Sequence, residues 1–245
     1  MKSLIRINRF LAEAGLGSRR RCEELVRRGS VFVNGRRLEK LSIKIDPDQD
    51  VVTVDGIRIS RAKRRLILAL NKPTGVLSST SDIHERKTVI DLAKENGYPE
   101  RLFPVGRLDL ETSGILILTN DGEFAFHLTH PRFKIEKTYN VTVEGKIGKE
   151  NISRLASGIR LEDFETQPCE VRSIEELEGF TELVVKLKEG KKRQIRKMFE
   201  AVGNKVIRLH RSSIGGLSFS DLEIGMIRPL SASEERRLRE LSGLI

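Results

Sequence analysis

An α+β fold is predicted: a small N-terminal α/β domain followed by a larger domain with a mixed, mainly antiparallel sheet flanked by helices. Three observations predict it. Short strand-like runs outnumber helical ones beyond residue 66, hairpin turn dipeptides recur, and no repeat at a period of twenty to fifty residues is present. The basic charge is also uneven. Residues 1–65 hold 17 Lys and Arg against 8 Asp and Glu, a net of +9, whereas residues 66–245 hold 28 against 27, a net of +1. A basic head on a near-neutral body suits an anion, and nucleic acid is the commonest such partner.

The head is expected at residues 1–60. Asn8 is expected to cap a short helix ending at Gly15, and Ser18 a second ending at Gly29. On the second helix Cys22, Leu25 and Val26 share a face, while Arg19, Arg20, Arg27 and Arg28 lie mostly outside it. A strand at Val31–Val33 meets the turn dipeptide Asn34-Gly35, and strands at 51–54 and 57–59 are joined by Asp55-Gly56. Gly15-Leu16-Gly17 follows no strand, so helix stop and start signals account for it better than a dinucleotide loop. RAKRR, residues 61–65, reads as a linker.

In the body, 66–245, strands are expected at 66–70, 115–118, 138–144, 170–174 and 182–188. Helices are expected at 85–96, 123–128, 152–157 and 194–202, and Asn120-Asp121-Gly122 reads as a turn. No apolar run approaches the length of a membrane span, and the N-terminal residues lack the apolar centre of a secretory signal. Two distant cysteines without CxxC spacing fit a reducing compartment, so a cytoplasmic protein is expected.

Several chemistries lack their residues. The four histidines are scattered without metal-ligand spacing, GxSxG and GxxxxGK[ST] are absent, and no glycine-rich loop closes a doubly wound strand. Cofactor-free chemistry, or none, remains. Asp109 precedes an apolar run, Tyr139 is one of two tyrosines, and Lys191, Lys192 and Arg193 sit on a strand-to-helix turn where cations suit phosphates. Taken singly, these residues read as a turn aspartate, a core tyrosine and a solvated basic face.

NRFLAEAGLGSRRRCEELVRRGSVFVNGRRL resembles the S-four-type RNA-binding domain, which implies that Arg19, Arg20, Arg27 and Arg28 face RNA phosphates. KPTGVLSS, GRLDLETSGILILTNDG, EKTYNVTVEG and EGKKRQIRKMFEAVGNKVIRLHRSSIGGL resemble, in order, the motifs of bacterial ribosomal RNA pseudouridine synthases, in the branch typified by small-subunit synthase A and large-subunit synthase B.

That resemblance implies isomerisation of a specific uridine in ribosomal RNA with no metal or other cofactor; the protein is expected to be a monomer. It makes Asp109 the catalytic aspartate and Arg107 the residue that fills the space of the flipped nucleotide. Tyr139 would stack on the target base, Ile195 would pack near it, and Arg196 would pair with the Asp109 carboxylate. An ionised carboxylate beside the anomeric carbon serves either as nucleophile or in abstracting a neighbouring proton. The rival reading is a non-catalytic RNA-binding or ribosome-assembly factor on the same scaffold.

Overall fold

A computed structural model describes residues 4–60 and 65–245. The expected linker lies outside the described residues except for Arg65. The chain divides into two compact units, Met1–Arg65 and Leu66–Ile245.

In the first unit β1 (Ile5–Arg6) leads into α1 (Ile7–Glu13) and α2 (Arg19–Arg27). There follow β2 (Val31–Val33), β3 (Arg36–Arg37), β4 (Lys44–Ile45), β5 (Val52–Val54) and β6 (Ile57–Ile59). β1 pairs with β4, and the others form a sheet in the order β3-β2-β5-β6. Ser18 caps α2, its hydroxyl accepting the Arg21 amide at 3.2 Å. Asn8 does not cap α1. It lies inside that helix, buried, and its amide donates to the Glu23 carboxylate at 2.7 Å, which ties the two helices together. Cys22, Leu25 and Val26 share one core with Ile7, Phe10 and Leu11. Both hairpin dipeptides adopt positive φ at each residue, 51° and 78° for Asn34-Gly35 and 49° and 81° for Asp55-Gly56, as a two-residue turn between twisted strands requires.

The second unit runs β7 (Ile67–Lys72), α3 (Val89–Glu95), β8 (Phe103–Pro104), β9 (Ser113–Thr119), α4 (Gly122–Thr129) and β10 (Lys137–Glu144). It continues through α5 (Lys149–Ser157), β11 (Glu170–Leu177), β12 (Phe180–Leu187) and α6 (Gln194–Glu200). It ends with β13 (Val206–Ile214), β14 (Leu217–Ser218), β15 (Ile227–Pro229) and α7 (Ala232–Leu241). The sheet order is β11-β12-β10-β13-β9-β7-β15, with β14 on β13 and β8 on β9. The β13–β9 contact is parallel, and the other pairs are antiparallel.

The apolar run after Asp109 is explained by burial on both faces. Leu116 and Leu118 of β9 enter one core with α3, α5 and α6, while Ile115 and Ile117 enter a second with α4 and α7. Asn120-Asp121-Gly122, expected as a turn, is instead the entry to α4: Asp121 caps the helix, accepting the Glu123 and Phe124 amides, and Gly122 is its first residue. The helix expected from residue 85 starts at 89. Glu85 has φ +57°, Asp82 accepts the His84 and Arg86 amides, and Thr88 with Asp91 forms the capping box. β13 and α7 are not among the expected elements. β13 interleaves charged residues with apolar ones, and its pairing with β10 is interrupted by two register shifts, so no alternation is visible.

Candidate active site

Asp109 sits on the segment between β8 and β9, and the residues after β7 hold that segment. Ser78 Oγ donates to the Leu108 carbonyl at 2.9 Å and accepts the Leu108 amide at 3.1 Å. The Gly75 amide donates to the Leu110 carbonyl at 2.8 Å, and the Thr112 amide closes a turn onto the Asp109 carbonyl at 3.0 Å. Asp109 is half-buried, on a loop bonded on both sides of it. A carboxylate so mounted keeps one position without a wall of acids or metals around it.

A cleft of about 550 Å³ opens beside it. The structure brings Arg107, Asp109, Tyr139, Lys191, Lys192, Arg193 and Ile195 together around this cleft. Tyr139 is buried on β10, and register sets it level with Val185 of β12 and Arg211 of β13. Ile195 is buried at the start of α6, and Arg107 is exposed.

Arg196 is not one of the residues lining the cleft. Its Nη1 donates to the Val206 carbonyl at 3.0 Å and its Nη2 to the Glu111 carbonyl at 3.3 Å, with Nε 3.8 Å from the Glu111 carboxylate. Among the described residues no ion pair joins it to Asp109. The second acid of the motif, Glu111, is the arginine partner: Arg193 Nη1 reaches it at 2.9 Å. That interaction holds the Glu111 carboxyl below the usual carboxylate range.

Three cations in this region belong to the motif segments, yet the resemblance gives them no role. Lys72 has no solvent exposure and donates to the Pro73 and Val76 carbonyls at 2.9 and 2.8 Å. Burial, aided by Arg211, pushes its ammonium down to about 8, while the Asp109 charge opposes the shift. Lys137 lines the cleft, donates to the Ile135 carbonyl at 2.9 Å, and is likewise pushed down to about 8 by burial and Arg211. Arg211, 4% exposed, also lines the cleft and anchors Nε on the Ile115 carbonyl at 2.6 Å. The only sequence signal for these three is a Lys or Arg inside a strand otherwise suited to burial.

The basic turn at 189–193 is internally braced. The Lys191 amide donates to Gln194 Oε1 at 3.0 Å, and Gln194 Nε2 donates to Glu189 at 2.6 Å. Lys191 Nζ donates to the Glu165 carbonyl at 2.7 Å and lies 4.5 Å from the centre of the Phe164 ring. Arg193, at φ +53°, turns the chain into α6. Lys192 is exposed, and among the described residues its ammonium has no bonded partner. In the N-terminal unit Arg19, Arg20, Arg27 and Arg28 are all exposed. Arg28 binds Asp55 at 3.2 Å, and Arg27 lies 3.7 Å from Glu23.

The family model for RNA pseudouridylate synthase matches residues 66–201, and the S4 domain model matches residues 5–51. The chain belongs to the RNA pseudouridylate synthase family. It is 41% identical to the ribosomal large subunit pseudouridine synthase B of Bacillus subtilis, over 97% of this chain and 96% of that protein. It is also 41% identical to an uncharacterised RNA pseudouridine synthase of Aquifex aeolicus, over 98% and 96%. A crystal structure of a pseudouridylate synthase superposes with a TM-score of 0.68 at 30% identity, covering 96% of this chain and 99% of that one. The synthase match includes Asp109, Tyr139 and Ile195 but ends before β13, so Arg211 reaches the cleft from outside the matched segment. Among the described residues no helix is long and apolar enough to cross a membrane.

Proposed function

We propose that this synthase converts a uridine of ribosomal RNA to pseudouridine in the cleft beside Asp109, acting as a cytoplasmic monomer. The observation that carries the reading is the convergence of Asp109, Tyr139 and Ile195, from a loop, a strand and a helix, on one cleft rimmed by cations. The ribosomal substrate is supported by the name of the Bacillus subtilis relative.

The reaction breaks the bond from C1′ to N1 of uracil, forms a bond from C1′ to C5, and exchanges a proton from C5 for one at N1. It is an isomerisation. Asp109 supplies negative charge at the sugar. Tyr139 and Ile195 give the extruded base an aromatic face and an apolar wall, which offset the few kcal/mol that unstacking costs. Arg107, exposed at the entrance, is suited to the gap left in the RNA. Lys72 and Arg193 are both near enough to Asp109 to interact with it electrostatically. They take the place beside the aspartate that the resemblance gives Arg196. Arg196 instead braces the turn from below. Lys192 meets phosphate at the rim, while Lys191 and Arg193 reach it after exchanging their present partners. Arg19, Arg20, Arg27 and Arg28 grip RNA backbone from the N-terminal unit, with residues 1–60 as the RNA-binding domain and 66–245 as the catalytic domain.

Incubation with ribosomal RNA carrying tritium at uridine C5 tests the reading. Release of tritium, with pseudouridine mapped to one position, is expected. Tight RNA binding without release from either subunit's RNA would favour a binding factor instead.

A further inference from the structure

We infer that the end of α4 and the short turn after it form a stacking platform for an unpaired RNA nucleotide next to the target uridine. The inference rests on the reading that the cleft beside Asp109 acts on RNA. Residues 124–135, FAFHLTHPRFKI, hold three of the ten phenylalanines, two of the four histidines, Arg132 and Lys134, with no Asp or Glu. Phe124 points into the core, fully buried, whereas Phe126 is 48% exposed.

The rings are layered. His127 lies against Phe133, centroids 4.4 Å apart and planes 23° from parallel. His127 is fixed by donating from Nδ1 to the Ser242 carbonyl at 2.8 Å, so this inner pair is bonded to the chain just beyond α7. Outside it, the Arg132 guanidinium sits 4.3 Å from the Phe133 ring centre and 5.9 Å from that of Phe126. His130 lies 4.9 Å from Phe126, and its Nδ1 accepts the Arg132 amide at 3.3 Å. An exposed phenyl ring and a guanidinium are thus held on a stacked, hydrogen-bonded base.

The patch is continuous with the cleft, because Thr129, His130, Pro131 and Lys134 line the cleft wall. A strand leaving the cleft on this side crosses His130 and meets Phe126 and Arg132. Its chemistry suits that path: aromatic and guanidinium planes accept the π-face of any base, and the charges of Arg132 and Lys134 suit phosphates. There is also a physical need. Extruding the target uridine deprives its neighbour of a stacking partner. A platform at the cleft edge supplies one, which lowers the cost of extrusion and favours unpaired or looped sites over duplex.

The test uses the full chain and unmodified large- and small-subunit ribosomal RNA transcribed in vitro, with equilibrium affinity and pseudouridine formation both measured. Phe126→Ala and Arg132→Ala should each weaken binding and raise KM roughly ten-fold, as expected for losing one stacked base. Turnover at saturation should stay within about two-fold, since neither side chain touches the reacting atoms. Phe126→Ala should leave the salt dependence of binding unchanged, because no charge is lost. Phe126→Trp should keep or improve affinity, and Arg132→Lys should not restore it, because the plane is missing. Wild-type affinity for Phe126→Ala, or full affinity for Arg132→Lys, overturns the platform. A wild-type chain that forms no pseudouridine on either RNA overturns the activity reading alone, and the affinity ratios still decide the platform.

Discussion

Glu111 receives Nη1 of Arg193 at 2.9 Å, two residues beyond an aspartate that has no ion pair among the described residues. The arginine of the basic turn is thereby docked on the turn that carries Asp109, without neutralising Asp109 itself. Positive charge reaches Asp109 through space from Lys72 and Arg193. A carboxylate placed in this way keeps its oxygens free for a substrate.

Asp109→Asn should fold, bind RNA and form no detectable pseudouridine. The amide preserves shape and the bonds of the turn, which use backbone groups, but removes the negative charge. Substantial turnover in a preparation free of host synthases would move the chemistry to another residue.

Arg196→Ala should act through the turn. Two carbonyls, of Val206 and Glu111, lose their donor, at about 1–2 kcal/mol. Saturated turnover should fall while RNA affinity changes little, and low salt should not restore it. Arg196→Lys should recover part of both stability and rate. Weaker binding that low salt rescues, with normal saturated turnover, would make Arg196 a phosphate ligand instead.

Gly114→Ala should be among the most damaging single changes. Gly114 has φ +114°, and a Cβ there would lie 2.3 Å from the Arg211 carbonyl oxygen and 2.4 Å from its nitrogen. The parallel β9–β13 pairing, which joins the two halves of the sheet, sets Gly114 opposite Arg211. Backbone strain and overpacking together predict a loss of about 2–4 kcal/mol, read by denaturant unfolding. A loss under about 1 kcal/mol would show that the strands separate easily.

The two depressed lysines give a pH signature. Lys72 and Lys137 titrate near 8 when folded, against an ordinary 10.5. Between those values the unfolded chain binds more protons, so their contribution makes stability rise with pH across roughly 8 to 10.5 and vanish as a slope below it. Each lysine contributes at most about 1.4 kcal/mol per pH unit. Lys72→Met should flatten part of this rise; an unchanged profile would mean Lys72 is charged throughout. The same variant should lose turnover at pH 7, where the ammonium supports Asp109.

Replacing Arg19, Arg20, Arg27 and Arg28 together by Ala should weaken RNA binding and lower the log–log salt slope by roughly 0.7–0.9 for each phosphate no longer neutralised. Arg19 and Arg20 should account for more of the change than Arg28, which must first leave Asp55. An unchanged slope would mean the N-terminal unit does not grip phosphate.

The sequence by itself determined what local chemistry encodes. Ser18 as a cap, Asn34-Gly35 and Asp55-Gly56 as turns, and the buried β9 strand all follow from residue type and neighbours. The motifs also named Asp109, Tyr139 and Ile195, which the fold places on one cleft. Tertiary structure alone decided which charges surround that aspartate. Arg193 and Arg196 are three residues apart and chemically alike, yet one lines the cleft and the other bonds to carbonyls of Val206 and Glu111 beneath it. Lys72 and Arg211 are ordinary basic residues in the chain, 139 positions apart, until antiparallel pairing of β7 with β9 and parallel pairing of β9 with β13 bring both beside Gly114. A residue's type states which charge it carries; only strand register states what that charge faces, because pairing across a sheet joins residues far apart in sequence.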